Sequence, residues 1–221
     1  MSEPIVVDVW SDIACPWCYV GKRRFESGVR QFGGDVALTY HSFELAPDTP
    51  VDFDGSEVDF LTGYKGISRE QAEQMLDQMT TLAADEGLAY DYDALRHTNT
   101  LKAHEVLHLA KARGVQLDLV EQLFSAYFEQ GRHLGDDDEL ARLGAEVGLD
   151  EAEVRRALAD GTFREAVRQD IAQARAYGIA GVPFYVIDGR YGVSGAQPAA
   201  VFAQALGQVA QERRTAAEAA R

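Results

Sequence analysis

The stretch Val9–Lys22, VWSDIACPWCYVGK, holds both cysteines of the 221-residue chain, Cys15 and Cys18, with Pro16 and Trp17 between them. On its N-terminal side, Ile5–Trp10 (IVVDVW) is apolar and β-branched, which predicts a buried strand. Ser11 or Asp12 can open a turn. Pro16 suits the first turn of a helix, where a missing N–H costs no intrahelical bond. The spacing from Tyr19 to Gln31 predicts that helix, stopped by Gly33-Gly34. Val36–Leu45 (VALTYHSFEL) reads as a second strand, so the cysteines fall at a strand-to-helix junction inside a β–α–β opening.

Beyond Ala46 the pattern becomes helical. Ser68 with Gln71 three positions later forms a capping box ahead of a helix running to about Glu86. Further helices are predicted at Thr98–Arg113, Leu117–Gln130, Asp137–Val147, Glu151–Ala159 and Phe163–Tyr177, with glycines where turns fall. Asp136–Glu139 looks metal-like, but carboxylates at a helix start favour the positive end of the helix dipole, so capping is the expected role. Strand character returns at Phe184–Ile187 and Tyr191–Val193 around the hairpin signal Asp188-Gly189, and an amphipathic helix follows Pro198. Strands only at the two ends, with helices between, predict a small α/β domain carrying a helical insertion.

The cysteine spacing admits a redox pair, half of a zinc site, or two buried small residues. Residues i and i+3 of a helix share a face at about 5–6 Å, within disulfide reach. Cys15, at the helix start, would meet free N–H groups and the positive dipole end, which lower a thiol pKa. Cys18, deeper, would be the resolving thiol, with Lys22 one turn on adding positive potential. A zinc site would need two further ligands, and the chain offers no third cysteine and five dispersed histidines. These considerations favour redox chemistry.

Net charge is −15, which argues against nucleic acid and anionic membranes as partners. At this size the core needs no staple. The N-terminal MSEPIVVDVW has no basic region and Asp8 breaks its apolar run, so a secretory signal is not expected and a cytoplasmic protein is. A permanent disulfide would be unusual in a reducing cytosol, which leaves reactivity as the more informative property of the pair.

CPWC between strand and helix, with the distant Val182-Pro183 ahead of a hairpin, resembles the thioredoxin superfamily, and the helical insertion resembles its DsbA-like branch. More narrowly, SDIACPWCYVGK, NTLKAH (Asn99–His104) and GIAGVPFYVIDGRYGVSGAQ resemble the FrnE-type DsbA-family oxidoreductases. The resemblance implies a thioredoxin fold over 1–46 and 163–221, interrupted by a helical insertion at 47–162. It implies Cys15 as an exposed nucleophile and Cys18 as the resolving cysteine, flanked by Pro16 and Trp17. Pro183 would be a cis-proline opposite them, with the Val182 backbone pairing an extended substrate. Asn99, Thr100 and His104 would line the groove. The implied activity is thiol–disulfide oxidoreductase or isomerase on protein or small-molecule disulfides. It calls for no cofactor beyond the redox-active dithiol, with glutathione as a candidate co-substrate and glutathione or a thioredoxin-type protein as electron partner. With only two cysteines, a second-pair relay is excluded. Trp17 brings bulk but no charge between the cysteines, so a pair less oxidising than DsbA is expected.

Two alternatives accompany this reading. The same architecture is similar to glutathione-dependent 2-hydroxychromene-2-carboxylate isomerases and kappa-class transferases, where a serine usually holds the nucleophile position. His104–His108 (HEVLH) matches H-E-x-x-H, which on a helix would suggest a zinc peptidase with Glu105 as base. A second motif to complete that site is not recognisable. Met75 and Met79, at i and i+4, are expected in the core, as are Trp10 and Phe43 on the sheet.

Overall fold

The computed structural model describes residues 3–219. β1 (Ile5–Ser11) leads through a turn into α1 (Pro16–Phe32), and β2 (Val36–Ser42) follows. Six helices come next: α2 (Glu57–Lys65), α3 (Arg69–Asp85), α4 (Leu101–Ala112), α5 (Gln116–Phe128), α6 (Asp137–Glu146) and α7 (Glu151–Asp160). α8 (Arg164–Ala176), β3 (Phe184–Ile187), β4 (Tyr191–Ser194) and α9 (Ala199–Ala219) close the chain.

The strands form one mixed sheet in the order β2-β1-β3-β4. β1 runs parallel to β2 and antiparallel to β3, with Val7 opposite Leu38 on one side and Ile187 on the other. α1 and α9 pack together on one face, where Val7, Val9, Phe25, Tyr185 and Phe202 are buried in a single core. On the other face Trp10 stacks on His41, packs with Ala174 and Ile179 beside α8, and donates its indole N–H to the Asp170 carbonyl. Phe43 packs against this second cluster, as expected. β1 is less buried than its composition implies: Val6, its second residue, is 44% exposed.

Local signals account for most boundaries. Gly33 ends α1 with φ +73°, a left-handed C-cap open to glycine without strain. Ser68 caps α3 through the reciprocal box with Gln71. Asp136 caps α6 by accepting from the Glu139 N–H at 2.7 Å. The hairpin turns through Asp188 and Gly189, both with positive φ, the backbone that an Asp-Gly turn supplies.

Several boundaries shift by one or two residues, and two shift by three at positions with a local cause. β2 stops at Ser42 rather than Leu45, because β1 itself ends at Ser11. Beyond that point the Phe43 N–H still reaches the Ser11 carbonyl, and the Leu45 N–H turns to the Asp12 carboxylate at 2.8 Å. α4 begins at Leu101 rather than Thr98. Thr98 donates instead to the Val51 carbonyl, and the Asn99 side chain accepts the Leu101 N–H.

Candidate active site

The turn that delivers Cys15 is fixed by Asp12. Its carbonyl accepts the Cys15 N–H at 3.1 Å and its side chain accepts the Ala14 N–H at 3.3 Å. Cys15 is then the N-cap residue of α1, with extended backbone, and Pro16 begins the helix. Its side chain makes no capping hydrogen bond to the first turn. Instead the thiol donates to the Val182 carbonyl at 3.6 Å, and the Val182-Pro183 peptide is cis. Residues 167 positions apart in the chain thus meet at one sulfur.

Cys15 is not the exposed thiol the resemblance implies. It is 3% exposed, with its thiol set against the Val182 carbonyl, and it lines the cleft described below. Cys18 is equally buried, and both are free thiols. Burial, then the hydrogen bond and charge of Cys15, push the Cys18 thiol well above its ordinary value, while Ser11 and the Asp12 N–H pull it down. Cys18 is therefore held as a neutral thiol beside Cys15, the state expected of a resolving group awaiting its turn.

Lys22 does not lend its charge to the cysteines. It is buried and spent on Glu26 and Glu121, each at 2.5 Å. Glu121 also takes Arg23 and the Tyr19 hydroxyl, so this ion cluster ties α1 to α5 instead. Burial opposes the ionisation of Glu121, yet Arg23 and Lys22 hold its carboxyl below the usual range.

A cleft of about 360 Å³ opens beside Cys15, Pro16 and Trp17, walled by α2 and α3. Trp17 is 45% exposed within it. Thr100 stands on its wall. His104 lies behind that wall, fully buried, with Nε2 3.4 Å from Asp12 Oδ1. Burial alone would raise the Asp12 carboxyl, but His104 and the Leu45 N–H bring it below its ordinary value. Asn99 is not among the cleft-lining residues. Its amide donates to the Pro47 carbonyl at 2.9 Å and fixes the loop before α2.

Met79 is buried as expected, but Met75, one turn earlier on the same face of α3, is 40% exposed, and both line the cleft. The H-E-x-x-H residues are engaged separately. His104 faces Asp12, Glu105 takes Arg164 at 3.2 Å, and His108 reaches Asp170 at 3.0 Å and the Ser42 hydroxyl at 3.2 Å. Among the described residues no cluster of three or more His, Cys, Asp or Glu is placed to hold a metal.

Sequence reading missed Ser11, Asp12 as a buried carboxylate, and Tyr90. The Tyr90 hydroxyl donates to the Pro16 carbonyl at 2.7 Å and anchors the first turn of α1 to the helical region. Asp12 is legible in the sequence as a turn opener; the burial of its carboxylate is not.

A family model for the DSBA-like thioredoxin domain matches residues 6–207. The solved structure of a probable DsbA oxidoreductase from Streptomyces coelicolor is 44% identical and superposes with a TM-score of 0.88, over 94% of this chain and 91% of that one. An uncharacterized protein of Bacillus subtilis, YwbO, is 29% identical over 204 residues, covering 90% of this chain and 94% of its own. A 2-hydroxychromene-2-carboxylate isomerase shares the fold at 17% identity, with a TM-score of 0.73 over 95% of this chain and 98% of that one. Neighbours of both the DsbA and the isomerase kind fit the FrnE-type resemblance of the sequence. A strand-to-helix dithiol facing a cis-proline loop, with helices inserted between β2 and the hairpin, carries the same conclusion: the chain belongs to the family of DSBA-like thioredoxin domains.

Proposed function

We propose that the protein is a thiol–disulfide oxidoreductase or isomerase in which Cys15 attacks and Cys18 resolves. The observation that carries this is the placement of Cys15 as N-cap of α1, against the Val182 carbonyl, with the neutral Cys18 one turn deeper. In the reductive direction the Cys15 thiolate attacks one sulfur of a substrate disulfide and expels the other as a thiolate. Cys18 then loses its proton, attacks the Cys15 sulfur, and releases the bound half as a second thiol. Two electrons leave the dithiol, and the Cys15–Cys18 disulfide remains. Glutathione or a thioredoxin-type protein is the candidate that returns it to the dithiol. Turnover in insulin reduction and in refolding of a scrambled disulfide substrate, lost in Cys15→Ser, tests the proposal; turnover that survives Cys15→Ser overturns it.

A second reading, a glutathione-dependent isomerase or transferase, is favoured by the fold shared with the isomerase and by the enclosed cleft beside Cys15. It predicts glutathione-dependent turnover that persists in Cys18→Ser. A cytoplasmic location is part of the proposal and is tested by cell fractionation; no helix among the described residues is long and apolar enough to cross a membrane.

A further inference from the structure

The cleft beside Cys15 is walled mainly by carbon. Trp17, Phe60, Leu61, Met75, Leu76 and Met79 are among its lining residues, and its volume, about 360 Å³, falls in the range of small-molecule sites. Aromatic faces are grouped there: Phe60 stacks on His97 at 3.5 Å and on Tyr64 at 5.2 Å. The methionine thioethers add soft, adaptable contacts suited to ring systems.

Several polar groups of the cleft are already committed to the protein, whereas the side chains of Thr49, Lys65 and Gln78 make no hydrogen bond to it among the described residues. Glu57 Oε2 pairs with His97 Nδ1 at 2.7 Å. Asp12 is taken by His104 and the Leu45 N–H, Thr98 donates to the Val51 carbonyl, and the Tyr64 hydroxyl donates to the Leu45 carbonyl. The charged residues lining the cleft are Asp12, Glu57 and Lys65, so two carboxylates stand against one cation. Glutathione brings two carboxylates and an ammonium, and would have to desolvate them against apolar walls without an arginine to receive them. An extended peptide would need backbone partners, and Val182, whose carbonyl faces Cys15, is not among the residues lining this cleft.

We propose that this cleft binds a small aromatic thiol or disulfide, and that the dithiol acts on that class in preference to glutathione or peptide disulfides. The proposal rests on the dithiol reading above. The Cys15 thiolate attacks the aryl-bearing sulfur of a disulfide, a Cys15–aryl disulfide forms, and the other thiolate leaves and takes a proton from water. Cys18 then gives up its proton, bonds to Cys15 and releases the aryl thiolate, so the two electrons come from the protein dithiol. Glutathione keeps only the role of a thiol that meets Cys15 without occupying the cleft.

The test uses the full-length reduced protein in single turnover with three pyridyl mixed disulfides, those of biphenylthiol, glutathione and a cysteine-containing pentapeptide. Each rate is divided by that of dithiothreitol with the same compound, which removes intrinsic reactivity. The biphenyl compound is expected to lead by about tenfold or more, and Met75→Arg, at an exposed wall position, is expected to erase most of that lead. In parallel, methyl biphenylyl sulfide and S-methylglutathione, neither of which can exchange, are titrated while tryptophan fluorescence is followed. Binding of the first alone supports the proposal. Equal or tighter binding of S-methylglutathione, or a normalised peptide rate equal to the biphenyl rate, overturns it. If none of the three disulfides reacts, the dithiol reading falls, and the thioether titration still decides what the cleft binds.

Discussion

The Cys15 sulfur lies 3.6 Å from the carbonyl oxygen of Val182, the residue that enters the cis bond to Pro183. Behind it, Cys18 is sealed from solvent and held protonated by burial and by Cys15 itself. The two thiols therefore have separate duties, and their variants should fail differently. Cys15→Ser is expected to lower disulfide reduction by at least about a hundredfold. Cys18→Ser is expected to attack once and stop, so mass spectrometry after substrate addition should find the mixed disulfide on Cys15. Equal accumulation on either single-cysteine protein would contradict the assignment.

The residues between the cysteines set the balance of the pair. Trp17 is half-exposed on the cleft wall and contributes no charge to a thiolate at Cys15. Equilibration with glutathione buffers should give a potential more reducing than that of DsbA, about −120 mV. A value at or above that figure would show that Trp17 does not decide the matter.

Gly21 governs how closely α1 meets the loop facing the dithiol. A Cβ there would stand 2.8 Å from the Tyr185 hydroxyl oxygen and 2.9 Å from Pro183 Cγ. Gly21→Ala should therefore destabilise the fold by about 1–3 kcal/mol in urea unfolding, the usual cost of overpacking. Because Pro183 must yield, Cys15 exchange should also slow, whereas Gly207→Ala, in open space inside α9, should raise stability by about 0.5–1 kcal/mol and leave exchange unchanged.

A buried charge cluster makes stability depend on pH. His41 is bracketed by Asp8 and Asp170, each at 2.8 Å. Burial lowers the His41 pKa, but the two carboxylates outweigh it and the net shift is upward. Burial raises that of Asp170, yet hydrogen bonds from His108, His41 and the Ser42 N–H hold it far below the usual carboxylate range. The Asp170 contribution is complete above the unfolded value of about 3.9 and is lost as pH falls toward its folded value. The His41 contribution is complete below the unfolded value of about 6.5 and is lost as pH rises through its elevated folded value. Urea midpoints should be highest between those limits and fall on the alkaline side. Asp170→Asn should be less stable at neutral pH and show a flatter profile; an unchanged slope would remove His41 from the account.

The parts of this protein legible in sequence were those written locally. The strand before CPWC, the proline at the helix start, the Ser68 box and the Asp188-Gly189 turn each depend on a few neighbouring residues, and each lies where its signal places it. What stayed hidden depends on distant partners. Lys22 looks like a free cation until Glu121, 99 positions on, takes it. His108 looks like a metal ligand until Asp170 and Ser42 meet it. Met75 and Met79 share a face of α3 and both line the cleft, yet only Met79 is buried, a difference set by tertiary packing and not by spacing. Asn99 sits in a motif that implies the groove, yet its amide is turned to Pro47.

The sheet has a consequence for the order in which the chain is made. β1 pairs with β3 through Val7 and Ile187, 180 positions apart, and the cis-proline loop comes just ahead of β3. At about 5–20 residues per second, a ribosome needs about 9–36 s to travel between them. For most of that interval Cys15 is without the Val182 carbonyl and β1 without its β3 partner. The newborn polypeptide thus carries two unsheltered thiols and half a sheet. Oxidants or chaperones acting during synthesis would meet a different object from the finished protein.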